Sequence, residues 1–240
     1  VGEDQSADLQ RLFTLTIETL ETQIAIIDLV SEVGGWAGAF ENTVVPVSDD
    51  RLLATFRDVT EIRLEHDRLV WLADHDHLTG LPNRRNLEQQ MAASLTRARK
   101  TSTPAGFVFI DIDDFKAVND SRGHDAGDVL LQAFVTRLQS AVRDQGIVAR
   151  LAGDEFAVVL DSVASSAELE SILDHVMCEV RKPFDISAGE ITVTCSAGAV
   201  LCAGDEAITD ILRTTDKAMY RAKHAGKNCY RITPVSASKE

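Results

Sequence analysis

Two apolar segments separated by only two residues constrain the fold of this chain more than any other feature. The segments "GIVARLA" (146–152) and "EFAVVL" (155–160) have the short, apolar composition of buried strands. Because only Gly153 and Asp154 lie between them, we predict an antiparallel hairpin with its turn at "GD". The hairpin places two adjacent carboxylates, Asp154 and Glu155, at the edge of a buried sheet, and that arrangement requires a chemical explanation.

Helical and strand patterns alternate from residue 83 onward. Amphipathic helical spacing occurs in "NRRNLEQQMAASLTRARK", "GHDAGDVLLQAFVTRLQSAVRD", "SSAELESILDHVMCEVRK" and "AITDILRTTDKAMYRAKHAG". We predict Asn83 and either Ser165 or Ser166 as N-caps, with Glu170 completing a capping box.

The segments between these helices have the composition of strands. They are "AGFVFIDI", "ITVTCSAGAVL" and "NCYRIT". Helices and strands interleave, but the hairpin makes the sheet at least partly antiparallel. We therefore predict an α/β fold of the α+β type, with a central mixed sheet flanked by helices.

The first 75 residues follow a different pattern. Helical spacing over Leu9–Leu20 precedes a strand, "IAIID", and two further strands are joined by the turn "VSDD". The segment after Thr60 is helical with a narrow apolar seam formed by Ile62, Leu64, Leu69 and Leu72. A connector helix packed on one domain and a short two-stranded coiled coil both fit this seam, which lasts fewer than three heptads.

The charge distribution excludes some classes of partner. The net charge is -14, and residues 1–62 hold 12 acidic and 3 basic side chains, a balance of -9. Such a chain is a poor partner for nucleic acid or an anionic membrane, and binds a small phosphate ligand only with a metal ion or local Lys and Arg. Its apolar runs are too short to cross a bilayer, and its four cysteines lack CxxC spacing. We expect a cytoplasmic location, with tethering possible only through a region upstream of Val1.

Carboxylates also end the strand "FVFIDI": they are Asp111, Asp113 and Asp114. Alternation along the strand places Asp111 and Asp113 on one face. If this strand neighbours the hairpin, Asp111, Asp154 and Glu155 converge at one edge of the sheet. Carboxylates that close repel one another unless a divalent cation lies among them, and oxygen ligands suit Mg²⁺. The alternative is a solvated acidic turn, since Asp is common in turns.

Four motifs in fixed order indicate a family. "LTGLPNRR", "FIDIDDFKAVNDSRGHDAGD", "ARLAGDEF" and "DKAMYRAKHAGKN" together resemble the GGDEF-domain family of diguanylate cyclases, over roughly residues 74 to 234. The resemblance implies a palm-like nucleotidyl-cyclase fold. It also implies condensation of two GTP molecules into cyclic di-GMP with release of two pyrophosphates, one GTP being held by each subunit of a homodimer.

The resemblance also implies roles for individual residues. Asp111, the Ile112 carbonyl, Asp154 and Glu155 would bind two Mg²⁺ ions, with Mn²⁺ as an alternative, and Asp154 and Glu155 would be catalytic. The implied substrate contacts are Asn119 and Asp128 for guanine, His124 near the base or ribose, Lys116, Lys223 and Lys227 for phosphates, and Gly153 in the turn. His124 as a helix cap and the two later lysines as C-terminal helix charges are the competing interpretations.

The N-terminal quarter resembles the ends of a PAS sensor domain. "ETQIAIID" is similar to its first strand and "FENTVVPVSDDRLLATFRDVTE" to its last two. We therefore expect a shortened PAS-like segment at 1–60, a linker helix at 61–75 and the GGDEF domain at 76–236. The first two would mediate homodimerisation, because so short a segment can hardly enclose a cofactor.

The chain departs from the family pattern at three places. Ala152 replaces the first glycine of the motif, which disables the turn only if that position needs a positive φ. Lys227 stands where arginine is more usual. Gly146 replaces the aspartate of an RxxD product-inhibition site that begins at Arg143, so product feedback through that site is not expected. A catalytically impaired GTP-binding regulatory module is the alternative function.

One structural pairing is also predicted. Asp76, in the "DHDHLTGLPNRR" segment, is expected to pair with a buried arginine such as Arg150.

Overall fold

The computed structural model describes residues 25–30, 37–48, 51–186 and 189–234. The helix predicted around Leu9–Leu20 lies outside these residues. The chain divides into two compact units, with the boundary between Val70 and Trp71. None of the helices within the described ranges is long and apolar enough to cross a membrane.

The first unit contains an antiparallel sheet of three strands in sequence order. They are β1 (Ala25–Val30), β2 (Ala37–Ser48) and β3 (Arg51–Asp58). The predicted pair of strands on either side of "VSDD" is thus confirmed.

Helix α1 (Thr60–Asp74) follows, as predicted. Its large apolar side chains face solvent, including Ile62, Leu64 and Leu69, which are 58%, 64% and 56% exposed. The described structure therefore leaves this apolar seam uncovered.

The second unit is built on a five-stranded sheet. Its strands are β4 (Ala105–Ile112), β5 (Gly146–Ala152), β6 (Glu155–Leu160), β9 (Cys195–Cys202) and β10 (Tyr230–Ile232). The spatial order is β10-β9-β4-β6-β5, and only the β9–β10 pair is parallel. The predicted mixed sheet and the hairpin of β5 and β6 are confirmed.

Five helices cover the two faces of this sheet or its edge. They are α2 (Arg84–Thr101), α3 (Phe115–Arg122), α4 (His124–Val142), α5 (Ser166–Val180) and α6 (Ile208–His224). The alternation of side chains along β4 separates two cores. Val108 and Ile110 pack with α4 and α5, whereas Phe107 and Phe109 pack with α2 and α6.

Helix caps account for two of the helix starts. The Asn83 side chain accepts a hydrogen bond from the Asn86 N–H at 3.2 Å, and Ser165 accepts one from the Glu168 N–H at 3.2 Å. The prediction of Glu170 as the capping-box acid is wrong. Glu168 lies at the third helical position, where its side chain reaches back to accept from the Ala164 N–H at 2.7 Å.

Two other details differ from the predictions. The segment "ITVTCSAGAVL" is not one strand, because β8 (Gly189–Ile191) pairs with β7 (Phe184–Ile186) and only β9 joins the main sheet. The break occurs where the Thr194 carbonyl accepts a hydrogen bond from the Asp113 N–H at 2.9 Å. Helix α3 was not predicted, since its eight residues are too few for an apolar period.

Candidate active site

The predicted convergence of acids at the sheet edge is present in the structure. Asp111 near the end of β4 lies directly opposite Glu155 at the start of β6. The Ile112 N–H donates to the Asp154 carbonyl at 3.3 Å. The Ile112 side chain is buried in the core, so only its main chain can serve the site.

The surroundings of the Asp111 carboxylate disfavour its ionised form. Its burial, together with the nearby charges of Asp154 and Glu155, raises its pKa to about 6, although Lys223 opposes the shift. The Lys223 ammonium lies 2.6 Å from Asp111 Oδ2. One lysine therefore only partly offsets the excess negative charge at this edge.

The hairpin turn depends on Gly153 rather than on residue 152. Gly153 has a φ of +54°, the left-handed region that glycine adopts without a Cβ clash. Ala152 is not among the residues with positive φ, and it pairs with Glu155 in the hairpin register. The backbone condition under which Ala152 would disable the turn is thus not met.

The Arg150 side chain holds this turn by hydrogen bonds to its main chain. Its Nε and Nη2 donate to the Gly153 carbonyl at 3.0 and 2.7 Å, while Nη1 donates to Asp76 Oδ1 at 2.8 Å. The predicted Asp76–Arg150 pair is confirmed, and both side chains are largely buried. Burial alone would raise the pKa of Asp76, but hydrogen bonds from Thr79 and Arg150 outweigh it and lower that pKa.

The predicted guanine-binding residues flank the contact between α3 and α4. A Cβ added to Gly127 would lie 1.9 Å from Asn119 Oδ1, so only glycine admits this contact. Asn119 Oδ1 is buried and makes no hydrogen bond within the described structure. Asp128 and His124 are exposed on the first turns of α4, whose N-cap is Gly123 and not His124. An unpaired buried amide oxygen beside an exposed carboxylate suits an incoming polar ligand.

The predicted phosphate-binding lysines occupy three positions around the same edge. Lys227, just beyond α6, lies 2.6 Å from Asp114 Oδ1, and this hydrogen bond raises the lysine pKa. Lys223 contacts Asp111, as described above. Lys116 is exposed in the first turn of α3.

A shallow cleft of about 320 Å³ lies along the side of α3 away from Asn119. Its lining residues are Asp113, Asp114, Ala117, Val118, Ser121, Thr192, Val193 and Thr194. The helical positions of Ala117 and Ser121 point roughly opposite to Asn119. The cleft is therefore separate from the predicted guanine contacts.

The donor set is compatible with Mg²⁺ but does not form a finished cage. Among the described residues, no three His, Cys, Asp or Glu side chains stand close enough to hold a metal ion. Asp111, Asp154 and the Ile112 main chain nevertheless offer oxygen donors at one edge. Mg²⁺ commonly takes one or two carboxylates and completes its shell with water and phosphate, so these residues fit it.

Several contacts around the site were missed by sequence reasoning. Asp113 accepts hydrogen bonds from Thr194 Oγ1 and Ser196 Oγ, each at 2.6 Å, and from the Asn228 N–H at 2.9 Å. Its carboxylate is therefore used structurally. The position of Asp113 just past the strand end was the only available signal, since its partners are remote in sequence.

Comparison with known proteins identifies the family. The family described as "Diguanylate cyclase, GGDEF domain" matches residues 73–229. The bifunctional diguanylate cyclase/cyclic di-GMP phosphodiesterase MucR of Pseudomonas aeruginosa is 35% identical over 189 residues, covering 78% of this chain and 27% of MucR. Diguanylate cyclase TpbB of the same organism is 34% identical over 174 residues, covering 72% of this chain and 40% of TpbB.

Comparison with solved structures indicates the same family. The solved structure of the GGDEF domain of TpbB (YfiN) from Pseudomonas aeruginosa superposes with a TM-score of 0.61 at 34% identity, covering 66% of this chain and 93% of that domain. The chain belongs to the GGDEF family, and the predicted palm-like α+β fold is confirmed. It spans well under half the length of the two relatives named above.

Proposed function

We propose that this chain is a diguanylate cyclase that condenses two GTP molecules into cyclic di-GMP and two pyrophosphates. The observation that carries the proposal is the convergence of Asp111, Asp154 and Glu155 at one sheet edge, with Lys223 and Lys227 beside them. The names of the relatives support the same reaction.

Asp111, Asp154, Glu155 and the Ile112 carbonyl would hold two Mg²⁺ ions, or Mn²⁺ in their place. Bound there, the ions would make the ribose hydroxyl more acidic and stabilise charge on the entering and leaving oxygens. The raised pKa of Asp111 supports this assignment, because a cation would offset the burial and the repulsion that together raise it.

The lysines supply the remaining positive charge. Lys223 and Lys227 each pair with a carboxylate in the structure. We infer that both turn to the triphosphate when GTP binds, and that Lys116 contacts it from the start of α3. Ammonium groups suit this task as point charges, although Lys227 lacks the two-pronged geometry of arginine.

Asn119 and Asp128 would select guanine. A carboxylate accepts from both the N1–H and the exocyclic amine of guanine, a donor pair that adenine lacks. The close packing of Asn119 on Gly127 supports this role, because it places the Asn119 side chain next to the residue that precedes Asp128. His124, exposed at the start of α4, would lie near the base or ribose.

The chemistry needs two chains. The 3′-oxygen of one GTP attacks the α-phosphorus of the facing GTP, its proton passes to Glu155, and pyrophosphate leaves. The 3′-oxygen of the second GTP then attacks the α-phosphorus of the first in the same way, which closes the ring and releases the second pyrophosphate. Each GTP would be held by one subunit of a homodimer assembled through α1 and the PAS-like segment at 1–60, with the cyclase domain at 76–236.

The direct test is incubation of the purified protein with GTP and Mg²⁺, followed by chromatography of the nucleotides. We expect cyclic di-GMP from the unchanged protein, none from Asp154→Ala, and no cyclic dinucleotide when ATP replaces GTP. Failure of the unchanged protein to make cyclic di-GMP would contradict the proposal.

A GTP-binding regulatory module is the second candidate, because Ala152 departs from the family motif. The module predicts saturable GTP binding without product. The backbone at Ala152 favours the cyclase, since this position does not need a positive φ. Gly146 in place of the inhibitory-site aspartate further predicts that added cyclic di-GMP does not slow the reaction through that site.

A further inference from the structure

We propose that Arg181 is a positioning residue that holds the loop carrying Lys227 against the phosphate side of the active site. The inference rests on the proposed function, in which Lys227 binds the triphosphate. It concerns a residue from the opposite helical layer, which neither contacts the acids nor belongs to the motifs.

The loop that carries Lys227 has an unfavourable backbone. Gly226, Lys227 and Asn228 are consecutive and have φ values of +109°, +62° and +49°. Glycine adopts the left-handed region freely and asparagine tolerates it, whereas for lysine it costs roughly 1 kcal/mol or more. The Lys227 N–H donates to the Ala222 carbonyl of α6 at 3.3 Å, and contacts to Asn228 hold the far side of the loop.

Arg181 supplies two of these contacts. It follows the last residue of α5, and its Nε donates to Asn228 Oδ1 at 2.7 Å while Nη2 donates to the Asn228 carbonyl at 3.1 Å. The guanidinium is planar, so two bonds to one residue fix both its side chain and its main chain. Arg181 thus defines the position of the residue next to Lys227.

A second anchor acts on the same residue from inside the domain. The Asn228 N–H donates to Asp113 Oδ2 at 2.9 Å, and Asp113 is held by Thr194 and Ser196. Asp114, which follows Asp113 in the chain, forms a salt bridge with the Lys227 ammonium. Asn228 is therefore pinned by Arg181 on one side and Asp113 on the other.

These contacts predict that Arg181 affects binding of the phosphates but not of the guanine base. Loss of Arg181 should release Asn228, broaden the positions of the Lys227 ammonium and weaken contacts to the phosphates. The guanine contacts at Asn119 and Asp128 lie on other elements and should be unaffected. Because Arg181 and Asn228 are both exposed, the change leaves the core intact.

The test is equilibrium binding in Mg²⁺, measured by calorimetry with 3′-deoxy-GTP, which has no 3′-hydroxyl and cannot react. The matched ligand is 3′-deoxy-GMP, which lacks the terminal phosphates. We expect Arg181→Ala to weaken triphosphate binding about fivefold and monophosphate binding less than about twofold, each factor of ten being about 1.4 kcal/mol. Lys182→Ala, which removes an exposed neighbour paired with Glu179, should bind both ligands like the unchanged protein.

Two further variants sharpen the outcome. Asn228→Gly keeps the positive φ and removes the Oδ1 acceptor, so it should show the same selective loss. In a Lys227→Met background, adding Arg181→Ala should cause no further loss, because the arginine acts through that lysine.

The contrary results are equally specific. Unchanged triphosphate affinity in Arg181→Ala, equal losses for both ligands, or an additive loss in the double variant would each overturn the positioning role alone. If the unchanged protein does not bind 3′-deoxy-GTP, the proposed function fails and this inference fails with it.

Discussion

Asp111 combines three conditions that rarely coincide in one carboxylate: burial, two acidic neighbours and a lysine contact. Its pKa in the folded protein is about 6, above the usual value of 3.8. Protonation therefore favours the fold. The benefit is complete below the unfolded pKa and is lost as the pH rises through about 6.

This shift predicts a pH-dependent gain for Asp111→Asn. In the presence of a chelator, we expect the variant to melt at a higher temperature than the unchanged protein at pH 8. The difference should shrink as the pH falls through about 6 and approach zero below the unfolded value of 3.8, where Asp111 is protonated in both states. Thermal unfolding monitored by circular dichroism measures the difference in melting temperature. A difference that does not depend on pH would contradict the raised pKa of Asp111.

Ala152 is the residue at which this chain departs most visibly from its family. Since its φ is not positive, we expect Ala152→Gly to change the rate of cyclic di-GMP formation by less than about threefold. Initial-rate measurement at saturating GTP is the test. A gain of tenfold or more would show that the methyl group impairs the site and would favour the regulatory module as the natural role.

Gly127 gives the sharpest steric prediction, because a Cβ there would lie 1.9 Å from Asn119 Oδ1. Gly127→Ala must displace Asn119, so we expect at least tenfold weaker binding of 3′-deoxy-GTP by calorimetry. The control is Gly80→Ala, where an added Cβ meets no atom within 4 Å although its positive φ brings backbone strain. Equal affinity in Gly127→Ala and the unchanged protein would remove Asn119 from the guanine contacts.

At the scale of elements, the hairpin of β5 and β6 is the feature that the sequence predicts most completely. Two apolar runs and a two-residue gap leave few alternatives, and the Asp76–Arg150 pair was also anticipated. Helix α3 was missed because its eight residues are too few for an apolar period. The break after Ile191 was missed because it depends on contacts of Asp113 with remote residues. Local periodicity contains no information on such long-range hydrogen bonds.

Arg150 links the segment after α1 to the catalytic turn. We expect Arg150→Ala to lower the free energy of unfolding by about 3 kcal/mol, because it leaves Asp76 buried without its partner. Cyclase activity should fall as well, since the Gly153 carbonyl loses both donors. Urea unfolding and initial rates test the two effects.

The matched control for the Arg150→Ala variant is Arg97→Ala. Arg97 also pairs with an aspartate, Asp161, but both side chains are substantially exposed. Its loss should therefore cost less than about 1 kcal/mol. Equal destabilisation by the two variants would show that Arg150 is an ordinary surface contact.

At the scale of the whole molecule, the uncovered apolar seam of α1 is the best candidate for the dimer contact that the proposed two-GTP reaction would use. We expect Leu69→Glu to shift the protein towards monomer in analytical ultracentrifugation and to lower the rate per chain at least tenfold. Asp67→Ala, on the opposite side of the helix, is the control. A monomeric variant that keeps full activity would contradict the two-chain mechanism.

The proposed reaction converts two GTP molecules into one cyclic dinucleotide and two pyrophosphates. The most direct measurement is phosphorus NMR of the unchanged protein with GTP and Mg²⁺, following substrate and both products together. We expect one cyclic di-GMP and two pyrophosphates for every two GTP consumed. Stable GTP, or its loss without cyclic di-GMP, would contradict the proposed reaction.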